Sequence, residues 1–297
     1  MGLTRTMQSV FKATAALVPL GLLAVLSGLF SAAASPTGMI AGQPARPASP
    51  TSISAPAPNA SEAWQLDRIR APQALQENPF QPGLTIAVLD TGVDAAHPWL
   101  AGRVSAASNF SSSPETVDHN GHGTYVAGII AQSLGIESAA ASYSLLNVKV
   151  ARDDGFCDAV VTARGIIFAT DAGARVINLS LALGAPSPEL VSAIDYAWGK
   201  GAVIVAAAGN GFSTAPSYPA ALPHVVGVAA TDKADRMAVW SNRGDWVTVA
   251  APGVSVVSSL PGASFGSRDG TSAAAAFVTA RPPSFSGSPA TAMATDG

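Results

Sequence analysis

Cysteine occurs once, at Cys157, so the chain holds no pair for an intramolecular disulfide framework and no multi-cysteine metal site. Histidine is nearly as scarce, and no HExxH pattern is present to support zinc chemistry. Charge is thin. Only 12% of the residues are charged, 16 basic against 19 acidic, and no Lys/Arg cluster is available to neutralise phosphates, which argues against nucleic acid as a partner. Apolar residues are not scarce: at 48% of 297 residues they are enough for the core of one large domain or two modest ones, and disorder throughout is excluded.

At the N-terminus Arg5 and Lys12 precede the apolar run 13–30, and Ala32-Ala33-Ala34 follow it, a pattern that predicts a cleaved signal peptide over 1–34. The competing reading is a retained membrane anchor through 13–30, although Pro19, Gly21 and Gly28 interrupt it. Both readings put the bulk of the chain outside the cytoplasm, secreted or extracytoplasmic. Residues 35–61, rich in Pro, Ala and Ser, read as a linker with little to bury, and 282–297 as a low-complexity tail. Between them, 62–281 carries short Val/Ile/Leu/Ala runs at 84–90, 143–150, 174–182, 202–210 and 224–230. Helical stretches separate them at 123–132, 159–172 and 188–198, the last with Ser187 as N-cap. Continuous apolar runs are strands covered on both faces, so the expectation is an α/β fold: three layers, a mostly parallel sheet and right-handed crossovers, with the chemistry beyond the carboxyl ends of the strands.

Four stretches carry candidate chemistry. In IAVLDTGVD, Asp90 ends a strand, where an acidic residue is either a turn former or a catalytic carboxylate. In DHNGHGTYVAG, His122 lies between two glycines at a helix start, and Asp118 and His119 are close enough to raise a metal site as a weak alternative. In AAAGNG, Asn210 is either a turn residue needing positive φ or an amide donor aimed at an oxyanion. In GTSAAAAF, Ser272 falls in the first turn of a helix, where serine is commonly a cap but where free N–H groups and the helix dipole also favour a nucleophile.

Taken together, DTGVD, HGTYVAG, AAAGN and GTSxAAA, in the chain order Asp, His, Asn, Ser, resemble the subtilisin-like serine proteases. The resemblance runs from about Trp64 to Val278 and makes 62–281 a peptidase domain. It implies Asp90 as orienting carboxylate, His122 as general base and acid, Ser272 as nucleophile and Asn210 in the oxyanion hole. It further implies that Ser180, Leu181 and Ala182 hold the substrate backbone, and that Ala207, Ala208 and Gly209 wall a pocket for apolar side chains. The implied activity is that of an exported endopeptidase acting through an acyl-enzyme on polypeptide substrates, without a cofactor and as a monomer. A non-catalytic, peptide-binding relative is the alternative. A nucleotide-binding domain is disfavoured, because no Gly-rich fingerprint follows the first strand.

The chain also departs from that family. The stretch between Ala34 and Ser61 leaves no room for a folded pro-segment, and His97-Pro98-Trp99-Leu100 and SLGIES lack the oxygen ligands of a tight calcium site. Ala273 and Ala276 stand where the family pattern has Met and Pro. Pro282 and Pro283 should stop the nucleophile helix and leave the C-terminal part of the domain cut short, with apolar surface uncovered.

Overall fold

The computed structural model of the chain describes residues 37–39, 64–71, 83–135 and 143–281. Residues 1–34, read above as a signal peptide, most of the stretch read as a linker, the end of SLGIES and residues 282–297 lie outside the described residues. In chain order the strands are β1 (Thr37–Met39), β2 (Leu84–Asp90), β3 (Val104–Asn109), β4 (Tyr143–Lys149), β5 (Phe156–Asp158) and β6 (Val176–Leu179). They continue as β7 (Ala182–Leu183), β8 (Val203–Ala207), β9 (Val225–Thr231), β10 (Val249–Pro252), β11 (Val256–Leu260) and β12 (Ser264–Arg268). The helices are α1 (Trp64–Arg68), α2 (His122–Ser133), α3 (Ala159–Asp171), α4 (Pro188–Gly199) and α5 (Thr271–Thr279).

Seven strands form one sheet in the order β10-β9-β8-β6-β2-β4-β3, and every neighbouring pair is parallel. The alternation along β2 explains the layers. Ile86 and Val88 point into a core shared with Val126, Ile129 and Ile130 of α2 and the alanines of α5, while Ala87 and Leu89 point into a second core with Ile166 of α3 and Ile194 of α4. Each such Leu or Ile side chain taken from water stabilises the fold by about 1.5–3 kcal/mol. Both faces of the sheet are thus covered, as the apolar runs predict.

From β2 the sheet grows in two directions, to β4 and β3 on one side and to β6, β8, β9 and β10 on the other. The crevice at such a switch opens beyond the carboxyl end of the central strand, which is where Asp90 stands. Local signals fix the helices around it. Asp158 caps α3 by accepting from Val160 N and Val161 N at 2.8 and 3.1 Å, and Ser187 caps α4 by accepting from Leu190 N at 3.2 Å.

Three features differ from the sequence reading. Residues 174–182, read as one run, are broken into β6 and β7, so that Ser180 and Leu181 are left free of the main sheet. Thr37–Met39, inside the stretch read as a linker, forms β1 and pairs antiparallel with β5 and β7. The third feature is α5, which ends at Thr279, short of the residue preceding Pro282, as a proline requires; yet Phe277 and Ala280 at its end are buried rather than uncovered.

The His97-Pro98-Trp99-Leu100 turn is held by its own histidine. His97 is fully buried; its Nδ1 accepts from Trp99 N at 3.1 Å, which places the ring proton on Nε2, where it is donated to Ser264 O at 3.1 Å. Phe265 meets the ring edge-on at 5.1 Å. Burial holds the His97 pKa below its ordinary value, against the opposing pull of the Ser264 hydrogen bond and of Asp94. The unfolded chain therefore takes up the proton first as pH falls, and the stability contributed by neutral His97, full above about pH 6.5, is lost below it. Urea midpoints measured from pH 7.5 to pH 5 should fall, and His97→Asn should show a shallower dependence over the same window.

Candidate active site

Asp90 and His122 meet in the crevice. His122 Nδ1 lies 2.8 Å from Asp90 Oδ1, and the two residues are 4% and 1% exposed. A ring nitrogen facing a carboxylate carries the proton, so Nε2 is left as the bare acceptor, and it has no hydrogen-bond partner among the described residues. Asp90 Oδ1 is itself fixed by Thr91 N at 2.7 Å.

The approach of strand end to helix start depends on Asp118 and Thr91. Asp118 accepts from Thr91 Oγ1 (2.8 Å), Asn120 N (3.1 Å), Gly121 N (2.7 Å), Thr124 N (2.8 Å) and Thr124 Oγ1 (2.7 Å). Thr91 Oγ1 in turn accepts from Gly123 N at 3.0 Å. Gly123 allows the contact: a Cβ there would lie 2.0 Å from Gly92 O. Sequence reasoning missed Asp118 and Thr91 as builders of the site, weighing Asp118 only as a metal ligand. That alternative loses its geometry, since the Asp118 carboxylate is occupied by five donors and His119 turns outward to Glu115 at 3.1 Å.

Ser272 lies in the first turn of α5, which packs against α2, the helix that His122 starts. Ser272 is 2% exposed, and its hydroxyl donates to Ser180 O at 3.3 Å, while Ser180 Oγ donates to Ser272 O at 3.2 Å. Beside it, Asn210 Oδ1 accepts from Thr271 N at 3.0 Å and Thr271 Oγ1 at 2.9 Å. With its acceptor end held twice, the Asn210 amide is left with Nδ2 as the free, donating end. Thr271 Oγ1 also accepts from Gly209 N at 3.0 Å, so one hydroxyl ties the start of α5 to the end of β8. Gly209 has φ of +98°, and a Cβ would meet Asn242 Nδ2 at 2.6 Å, so the turn at this stretch requires a glycine.

Of the remaining predicted positions, Ala182 pairs with Met39 of β1, and Leu181, Ala207 and Ala208 are buried. β1 lies between β7 and β5, so those two strands hold an extended segment of chain between them. Lys149, fully buried, closes the floor: Nζ donates to Thr91 O, to Val117 O at 3.1 Å and to Asp153 Oδ1 at 2.7 Å.

A seven-stranded parallel sheet with a buried Asp–His pair, a helix-start serine and an amide donor at its carboxyl edge is the arrangement of a serine hydrolase. Residues 81–281 match the model of the subtilase family, peptidase S8, and the chain belongs to that family of serine endopeptidases. It is 41% identical over 223 residues to thermitase of Thermoactinomyces vulgaris, an alignment covering 73% of this chain and 80% of the relative. It is 39% identical over 236 residues to subtilisin BL of Lederbergia lenta, covering 76% and 87%. To a thermophilic serine proteinase of Bacillus sp. strain AK1 it is 43% identical over 201 residues, 66% of this chain and half of that one.

Cys157, in β5, is buried, and burial pushes its thiol up to about 12, with Asp90 and Asp158 adding to the shift. A thiol so placed is not a nucleophile near neutrality. Native protein at pH 8 should leave a chromogenic disulfide reagent unreacted, and one thiol per chain should appear on unfolding in guanidinium.

Proposed function

We propose that this subtilase is an exported endopeptidase that hydrolyses peptide bonds through Asp90, His122 and Ser272. The observation that supports it best is the buried 2.8 Å contact of His122 Nδ1 with Asp90, which leaves Nε2 as the acceptor nitrogen, buried and without a partner among the described residues. Rotation about the Ser272 Cα–Cβ bond carries Oγ from Ser180 O toward Nε2. Oγ then attacks the scissile carbonyl as Nε2 takes its proton, and Asp90 stabilises the imidazolium. Asn210 Nδ2 and Ser272 N donate to the oxyanion. Collapse of the tetrahedral intermediate expels the amine, which takes the proton from His122 and leaves an ester on Ser272. Water, deprotonated by His122, attacks the ester, and the acid leaves as Ser272 recovers its proton.

Ser180, Leu181 and Ala182 hold the acyl half of the substrate as an added antiparallel strand, a role supported by the pairing of Ala182 with β1. Ala207, Ala208 and Gly209, small and uncharged, suit an apolar side chain before the scissile bond. We assign 1–34 to a cleaved signal peptide and 62–281 to the peptidase domain. Among the described residues no helix is long and apolar enough to cross a membrane.

A fluorophosphonate probe should label the protein at Ser272, and Ser272→Ala or His122→Ala should abolish labelling. Asn210→Ala should lower kcat by about 10²–10³, the loss found when such a donor is removed from a subtilisin. A folded wild-type protein that leaves the probe unreacted would instead be a peptide-binding relative without the activity.

A further inference from the structure

Arg268 ends β12 four positions before Ser272, and its guanidinium has no carboxylate partner among the described residues. It is half-buried all the same. Its Cζ lies 5.3 Å over the Tyr125 ring, and its Nη2 lies 3.3 Å from where a Cβ on Gly121 would stand. Gly121 is the residue before His122. The carboxylates that Arg268 senses are already engaged: Asp90 by His122, and Asp118 by its five donors. Asp269, next in sequence, accepts from Ser255 N at 2.7 Å. Burial lowers the Arg268 pKa, which marks the desolvation that the cation bears without a paired anion.

Chain direction and chemistry together say which half of a substrate meets this cation. β1 is antiparallel to β7, Gly38 opposite Leu183 and Met39 opposite Ala182, so a polypeptide in that groove runs toward Ser180 and hence toward Ser272. The acyl half therefore lies between β5 and β7. The leaving half emerges on the side of His122, because that imidazole has to protonate the departing amine. Arg268 stands at the turn that precedes His122, its Nη2 beside Gly121.

We propose that Arg268 is a specificity-determining residue that selects substrates with an aspartate or glutamate among the first two residues after the scissile bond. This rests on the endopeptidase reading above and names its substrate class. A guanidinium already partly stripped of water and stacked on Tyr125 loses little further freedom on pairing with a carboxylate, whereas a lysine brought to the same place meets an uncompensated like charge.

The experiment uses peptides identical except for Asp, Ala or Lys at the first or second position after the bond. The wild-type kcat/KM should favour Asp over Lys by about 10-fold or more at one of the two positions, as a charge-assisted hydrogen bond would give, and the ratio should shrink in high salt. Arg268→Gln should bring the ratio close to 1, Arg268→Glu should reverse it, and Arg268→Lys should keep its sign. Binding of the same peptides to Ser272→Ala, read by fluorescence anisotropy, should show the same order. That arm separates the two ideas: absence of hydrolysis counts against the endopeptidase, while equal binding of the Asp and Lys peptides, or a ratio unchanged in Arg268→Gln, overturns the role of Arg268.

Discussion

The carboxylate of Asp118 joins the pieces on which the site depends. It receives Thr91 Oγ1 from the end of β2 and four donors from the turn and first helical residues around His122, so a strand end and a helix start become one rigid corner. A buried carboxylate is costly unless its lone pairs are used, and here they are. The distance between Asp90 and His122 follows from that corner, because each residue is fixed to a partner of Asp118: Asp90 by the peptide of Thr91, His122 by the first turn of α2, which includes Thr124. Lys149 adds the compensating positive charge below, bound to Thr91 O on one side and to Asp153 on the other, and holds the Asp153 carboxyl below the usual range.

A second constraint is space. The two helices that carry His122 and Ser272 both lie on the same face of the sheet and are almost wholly buried, so their surfaces are small: Gly123 and Gly128 in α2, four consecutive alanines in α5. A Cβ on Gly128 would lie 2.0 Å from Ser259 Oγ, and Ser258 and Ser259 bond across to Tyr125 O and Thr124 O at 2.8 Å each. The β11–β12 hairpin thereby braces α2 from outside. Helices with such bare faces derive their stability from packing rather than from pairs along their own surfaces, which is why their ends are set by contacts: Gly121 at one, Ala280 against Ala276 O at the other.

What was legible in the sequence follows from how local each signal is. β2 was readable to the residue, because a run buried on both faces ends abruptly in Asp-Thr-Gly. The capped helix α4 was equally clear from Ser187-Pro188. β3 was missed, since Val104–Asn109 at the sheet edge is only partly buried and lacks an apolar run. The β11–β12 hairpin was missed because its buried side holds serines, whose partners are carbonyls of a helix more than 130 positions away. β1 could not be read at all: its pairing comes from β5 and β7, not from its own composition. At the candidate site Asp90, His122, Asn210 and Ser272 each stood out within a motif, while Thr91, Asp118 and Thr271 did not, because a hydroxyl or carboxylate that joins two motifs gives no pattern within either.

The finished crevice is asymmetric, and the asymmetry follows from which elements border it. The half between β5 and β7 offers backbone and small apolar walls, so it can accept main chain in a fixed register with little regard to charge. The other half is bordered by the hairpin and the turn before α2, where Tyr125 and Arg268 stand. Tyr125 donates to Val256 O at 2.8 Å, so the aromatic face beneath Arg268 is fixed by the same hairpin that ends in Arg268. The hairpin that braces α2 through Ser258 and Ser259 therefore also carries Arg268 and holds the ring beneath it, so the place of this cation is set by the same contacts that seat the helix His122 starts.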